Sequence, residues 1–151
     1  MTKPITAKNA AKQDFMPLMR ELVRAYQAFA SYDARLHRES GFGLTVSQAD
    51  VIFTLGNTDG LTCSEIGERT LITKGTLTGV IDRLVKKGLV KRSRMNHDAR
   101  CVQVSLTAKG EKVFGEAFPL QVEALGARFE RLDPDVRKQA QATLAALRAI
   151  F

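Results

Sequence analysis

Thiols, histidines and long apolar runs are scarce in this chain, and each scarcity excludes something. Cysteine occurs twice, as Cys63 and Cys101, with no second cysteine or histidine at ligand spacing beside either. That argues against a disulfide framework and against a zinc knuckle, and it fits a reducing compartment. The two histidines, His37 and His97, lie too far apart in sequence and are too poor in neighbouring carboxylate and thiolate ligands for a metal site, and no cofactor is implied. No window approaches the roughly 20 apolar residues that a membrane-spanning helix needs, and the first ten residues lack the apolar core of a secretory signal. A cytoplasmic protein with no membrane partner is expected. No glycine-rich phosphate loop follows a strand, and no nucleophile with its base or paired carboxylates can be picked out, so catalysis ranks last among the functions considered.

What is present is 44% hydrophobic and 26% charged residues over 151 positions, the composition of a soluble globular domain, here read as one domain over 1–151. The net charge is +7, and its location is more telling than its size. Residues 62–109 hold 10 Lys+Arg against 4 Asp+Glu, whereas 1–61 and 110–151 are each within one charge of neutrality. A phosphate-binding face between two neutral scaffolding segments segregates charge in this way; an evenly solvated basic surface does not.

The apolar spacing predicts a first helix over about 13–39, carrying Phe15, Leu18, Met19, Leu22, Tyr26, Phe29 and Leu36, with Gly41-Phe-Gly43 ending it. Ser47-x-x-Asp50 is the predicted start of the second helix, and Asn57-Thr-Asp-Gly60 reads as a turn. Thr62-x-x-Glu65 has the residue types of a capping box and opens a short third helix with Ile66 and Leu71 inward. Thr73 is the expected N-cap of a fourth helix with Leu77, Val80, Ile81 and Leu84 as its apolar stripe and Gly88 as its stop. Two short helices joined tightly form a helix-turn-helix. From Leu89 the period changes to two, giving a hairpin or wing whose strands flank a polar loop over 94–100. Thr107 caps a fifth helix to about Leu132, which Pro119 is expected to kink, and Asp133-Pro134 opens a sixth. The resulting fold class is mainly α (α+β): a winged helix-turn-helix lobe at 45–107 and a helical region from 13–39 and 108–151. The terminal helices carry more apolar surface than so small a domain covers, and a second copy of the chain is expected to cover it, giving a symmetric homodimer.

On the fourth helix, steps of about 100° place Lys74, Gly75, Thr76, Thr78, Gly79, Asp82, Arg83 and Lys86 away from the stripe. Glycines permit close approach, threonines offer a hydroxyl and a methyl to base edges, and Lys74 and Arg83 can meet phosphate or guanine. An ordinary amphipathic surface helix is the competing reading. In the hairpin, Asp98 is close enough in sequence to orient Arg100, and an arginine so held is pre-organised for a narrow minor groove. The alternative, a solvated ion pair worth about 0 to 1 kcal/mol, is weakened by Lys91, Arg92 and Arg94 in the same hairpin. His97 in the wing loop is read as a contact to phosphate or solvent.

Leu61-Thr-x-x-Glu65-Ile66, Val80-Ile-Asp-Arg-Leu84-x-x-Lys-Gly88-Leu-Val90 and Asp98-x-Arg100-x-x-x-Val104-x-Leu106-Thr107-x-x-Gly110 together resemble the MarR family of winged-helix regulators, over essentially the whole chain. The resemblance implies homodimers built from terminal helices, double-stranded DNA as partner, a pseudo-palindromic operator, and repression relieved by a small ligand or an oxidant. It further implies that Asp98 braces Arg100 in the minor groove while the helix from Thr73 enters the major groove. Ala99 departs from the pattern, because many relatives carry a second basic residue there.

Peroxide-sensing relatives use a cysteine near the start of the first helix, and this chain has none there. Cys63 at the first position of a helix and Cys101 beside Arg100 are nonetheless candidates for redox reactivity, against the reading of a small buried Cys63 and an incidental Cys101. Relatives that bind phenolic or aromatic acids do so where the first, second and fifth helices approach the DNA-binding lobe. Tyr26, Phe29, Tyr32, His37 and Phe53 are the corresponding candidates here for a small aromatic or phenolic ligand, with dimer core as the competing role. Outside the regulator class, the chief rival is a non-sequence-specific architectural protein using the same basic lobe, separable by a specificity ratio below about 10³.

Overall fold

A computed structural model of the chain describes residues 4–70, 72–95 and 98–151, and at 95 and 98–101 the backbone alone. The predicted Leu71 therefore lies outside the described residues. Six α-helices and a three-stranded antiparallel sheet follow one another as α1 (Met16–Glu39), α2 (Val46–Leu55), β1 (Leu61–Thr62), α3 (Cys63–Thr70), α4 (Lys74–Lys86), β2 (Val90–Met95), β3 (Asp98–Leu106), α5 (Ala108–Phe129) and α6 (Pro134–Ala149). The mainly α winged-helix class follows directly from this order and from the sheet order β1-β3-β2.

Helix starts were legible to different degrees. The first helix begins at Met16, three residues later than the spacing implies, because Pro17 with its fixed φ and missing N–H belongs to a first turn. Ser47 does not cap α2. Thr45 does, accepting from the Gln48 N–H while the Gln48 side chain accepts from the Thr45 N–H, a complete capping box. Thr73 occupies the N-cap position of α4 with extended backbone, but its hydroxyl donates to Thr76 Oγ1 at 3.1 Å and caps no backbone N–H. Thr107 and Asp133 cap α5 and α6 as expected, accepting from the N–H groups of Gly110 and Asp135. Pro119 stands inside α5, where its ring leaves the Gly115 carbonyl without its helical donor.

The wing is longer in strand and shorter in loop than alternation alone suggests. β2 runs through Arg94 to Met95 and β3 begins at Asp98, with a register shift between Arg94 and Met95. β1, unpredicted, pairs Leu61 with Val104 and Thr62 with Gln103. Two residues are too few to show a period, and the pairing is a property of the tertiary fold. Val104 is fully buried, but Val102, expected to face inward with it, is 42% exposed because β3 there has run past the end of the core.

That core is Leu44, Val51, Ile52, Leu55, Ile66, Leu77, Ile81, Leu84, Val90, Val104, Leu106 and Phe114 with their neighbours. It lies within the helix-turn-helix, the sheet and the first turns of α5. Gly110 is required where α5 crosses the wing, since a Cβ there would stand 2.0 Å from the Leu89 carbonyl oxygen. In contrast α6 buries none of its residues, and α1 buries only Asp33 and His37. No helix among the described residues is long and apolar enough to cross a membrane.

Candidate nucleic-acid interface

The helix-turn-helix is assembled from short-range chemistry. Glu65 Oε2 accepts from the Thr62 N–H at 2.8 Å and from its hydroxyl at 2.9 Å, while Thr62 Oγ1 accepts from the Glu65 N–H. The backbone N–H, then the hydroxyl, hold the Glu65 pKa below its ordinary value. Cys63 follows as the first residue of α3 and is exposed, which removes the alternative of a small buried thiol.

At the far end of α4, Gly88 adopts φ +70°, its N–H donates to Val85 and the Leu89 N–H donates to Leu84, a Schellman stop. Lys87 then reaches back to α2, donating to the Gly43 carbonyl at 2.6 Å and to Gln48 Oε1 at 2.9 Å. These bonds fix how far α4 projects from the core.

The outward face of α4 is the one the spacing implies. Leu77, Val80, Ile81 and Leu84 are buried, whereas Lys74, Gly75, Thr76, Thr78, Asp82, Arg83 and Lys86 are exposed. Neither Gly75 nor Gly79 adopts a positive φ, and a Cβ at either would meet nothing within 4 Å. Packing within the chain thus gives no reason for two glycines that cost a helix up to about 1 kcal/mol each relative to alanine. Thr78 Oγ1 donates to the Lys74 carbonyl at 3.4 Å, leaving its lone pairs outward. Among the described residues neither Lys74 nor Arg83 has a carboxylate within 4 Å.

One contact that sequence reasoning missed joins this helix to the wing. Arg92 of β2 donates to Asp82 of α4 at 2.6 Å. With both side chains roughly half exposed, such a pair adds little stability but restrains the angle between helix and strand. The available signal was that Asp82 is the sole acid between Thr73 and Lys87, in a lobe otherwise dense in cations. Arg94 is exposed on the same strand, paired in register with Val102. The side chains of His97, Asp98, Arg100 and Cys101 lie outside the described residues; the backbone of the last three belongs to β3.

Comparison with known proteins agrees with this geometry. The MarR family model matches residues 42–100, from the loop before α2 to the start of β3. The uncharacterized HTH-type transcriptional regulator YkoM of Bacillus subtilis is 30% identical over 125 residues, 82% of this chain and 79% of that protein. The chain belongs to the MarR family. Among solved structures, a mutant MarR from E. coli complexed with operator DNA is 25% identical with a TM-score of 0.74, over 89% of this chain and 99% of that one. BpsR of Bordetella bronchiseptica, whose DNA binding is regulated by 6-hydroxynicotinic acid, is 25% identical with a TM-score of 0.72, over 87% and 98% of the two chains. The winged helix is therefore that of a DNA-binding transcription regulator and not of an enzyme.

The five aromatic and histidine candidates for a ligand site do not line one cavity in this MarR-family chain. His37 and Phe53, with ring centroids 6.0 Å apart, share a cavity of about 230 Å³ with Phe42, Leu44, Ala117, Leu120 and Gln121. Phe29 and Tyr32 line a separate cleft of about 350 Å³ between α1 and α5, where Arg35 and Arg128 lie 5.4 and 4.7 Å from the centre of the Tyr32 ring. Tyr26, 69% exposed, lines neither. The reason is the rise of the helix: Tyr26 and His37 are separated along α1 by roughly 16 Å at about 1.5 Å per residue.

Behind the smaller cavity His37 Nε2 lies 3.6 Å from Asp33 Oδ1, which also accepts from Gln121 of α5. Asp50 on α2 completes the group; burial raises its pKa above the ordinary 3.8, as does the Asp33 carboxylate, against the opposing pull of His37.

Proposed function

We propose that this MarR-family regulator is a homodimeric repressor that binds a pseudo-palindromic operator through residues 45–107 and is released by a small ligand or an oxidant. The observation that carries the DNA-binding part is the outward face of α4: small and polar, with Gly75 exposed, Gly79 half-buried and no neighbour within 4 Å of a Cβ at either. In this reading Lys74 and Arg83 meet phosphate or guanine, and Gly75, Thr76 and Thr78 lie against base edges in the major groove. Arg94 and His97 contact the backbone, and Asp98 orients Arg100 in the minor groove.

Residues 13–39 and 108–151 form the dimerisation region. Support comes from the apolar side chains that α1 and α6 leave uncovered, including Leu18, Val23, Val136, Leu144 and Ile150, and from a groove of about 480 Å³ between these helices with almost no polar surface. Release by a ligand is supported by the regulation of BpsR DNA binding by 6-hydroxynicotinic acid. Release by an oxidant rests on the exposure of Cys63 at the start of α3.

Selection of genomic fragments by the purified protein at near-physiological salt, followed by footprinting, tests the reading. An enriched inverted repeat with half-site centres about 34 Å apart is the expected result. Uniform recovery of all fragments would replace it with the architectural alternative.

A further inference from the structure

We infer that the cavity between the C-terminal end of α1, α2 and α5 selects a single-ring ligand that carries a hydrogen-bond donor and no negative charge, an aromatic amine above an aromatic acid. The inference rests on the ligand-released reading just given and names the chemistry of its ligand. Size comes first. A cavity of about 230 Å³ exceeds the 150 Å³ or so that accommodates a benzene ring, leaving space for one short substituent but not for a second ring. Phe53 supplies an aromatic wall, itself held at 5.0 Å from the Phe118 ring.

The polar wall decides the charge. It consists of His37, Glu39, Gln121 and Ser40, whose hydroxyl already donates to the His37 carbonyl, and no lysine or arginine lines the cavity among the described residues. Asp33 stands directly behind His37, with Asp50 nearby on α2. With His37 in either protonation state, an ionised Asp33 leaves this group at zero net charge or below. An incoming carboxylate would be desolvated beside acids and meet no cation other than a His37 imidazolium already matched by Asp33, whereas an ammonium or a neutral donor meets acceptors. The arginines of the α1–α5 region instead stack on Tyr32 in the other cleft, away from this cavity. BpsR responds to an aromatic acid, so its ligand chemistry is expected not to carry over to this chain.

Calorimetric titration of the full-length protein with benzylamine, benzyl alcohol and benzoate, matched in shape and different in charge, tests the selection directly. Benzylamine is expected to bind at least about tenfold more tightly than benzoate, a difference of about 1.4 kcal/mol, with benzyl alcohol between them. Asp33→Asn is expected to narrow the gap, and Gln121→Lys, which places a cation in the wall, to reverse it. Benzoate binding as tightly as benzylamine to the wild type, or no binding of any of the three, would overturn the inference. Operator binding is measured on the same preparation without probe. Its absence would refute the regulator reading while leaving the charge preference intact, so the two failures are distinguishable.

Discussion

Replacing Gly79 by alanine, alone and together with Gly75, separates what the face of α4 does for folding from what it does on DNA. Gly79 lies in the second turn of α4 with an ordinary helical backbone, and a Cβ there meets nothing within 4 Å. The substitution therefore adds no clash and removes the conformational entropy of glycine, a gain of about 1 kcal/mol. Gly75 lies in the first turn, where fewer backbone groups are committed to the ladder, so about 0.5 kcal/mol is expected there. Together they should raise the midpoint of thermal unfolding by about 3 to 6 °C in a chain of this length.

On DNA the sign reverses. If the face packs against a groove, two added methyl groups overfill a close contact at about 1 to 3 kcal/mol each, so operator affinity should fall at least about tenfold. Urea unfolding followed by circular dichroism gives the first quantity, and anisotropy of a labelled operator fragment the second. A stabilised double variant with unchanged operator affinity would refute close approach of α4 to the groove. A variant that is not stabilised would refute the claim that nothing within the chain requires these glycines.

Four further outcomes are expected. Lys74→Ala should lower operator affinity and reduce the slope of log K against log salt by about one unit; an unaltered slope with changed sequence preference would make Lys74 a base reader. Arg100→Ala should weaken specific binding by about 1 to 3 kcal/mol without unfolding the chain, and unchanged affinity would remove the wing from the mechanism. Because the Glu65 pKa is depressed in the folded chain, its contribution to stability is complete above the ordinary value of 4.5 and is lost as pH falls below it; Glu65→Gln should flatten that limb of the stability–pH curve, and an unchanged curve would discount the Thr62 contacts. The Asp50 pKa is raised, so the ionised form costs stability once pH rises through the folded value. Asp50→Asn should be more stable than the wild type at pH 7 and equal to it below 3.8, and lower stability at pH 7 would contradict the dominance of burial.

The parts of this fold that were legible in the sequence are those set by local chemistry. The α4 stripe, the Gly88 stop, the Thr62–Glu65 box and the caps at Thr107 and Asp133 each depend on residues within two helical turns of one another. The start of α2 was ambiguous locally, because Thr45-x-x-Gln48 and Ser47-x-x-Asp50 both fit a capping pattern. What distinguishes them is burial: Leu44, just before Thr45, and Ala49, at the fourth helical position, are both buried, at the positions of a hydrophobic staple. β1 and the Asp82–Arg92 pair were likewise hidden: β1 pairs with a strand that follows two further helices and β2, and Asp82 and Arg92 meet across the turn after α4, neither of which the periodicity encodes. Four of the five candidate ligand residues share α1, yet His37 joins Phe53 of α2 in one cavity, Phe29 and Tyr32 line another and Tyr26 lines neither, because their partners on α2 and α5 determine which side chains meet.

The distribution of burial bears on how a ligand could reach the DNA-binding face. α1 spans 24 residues, about 36 Å, and within the described chain it buries only Asp33 and His37. These two form a polar joint with Gln121 of α5, and the His37 ring faces Phe53 of α2, where α1 approaches the lobe. The helix-turn-helix, by contrast, surrounds a continuous apolar core and is tied to α2 by Lys87. A ligand in the cavity beside His37 would therefore act where α1, α2 and α5 meet. In a dimer held together by the outer parts of α1 and α6, a tilt of about 5° at this joint displaces the far end of a 36 Å helix by about 3 Å. Half-sites one helical turn apart tolerate little of such a change in the spacing of the two α4 helices, so in the ligand-released reading proposed above filling the cavity is expected to alter operator binding without touching any residue proposed to contact DNA.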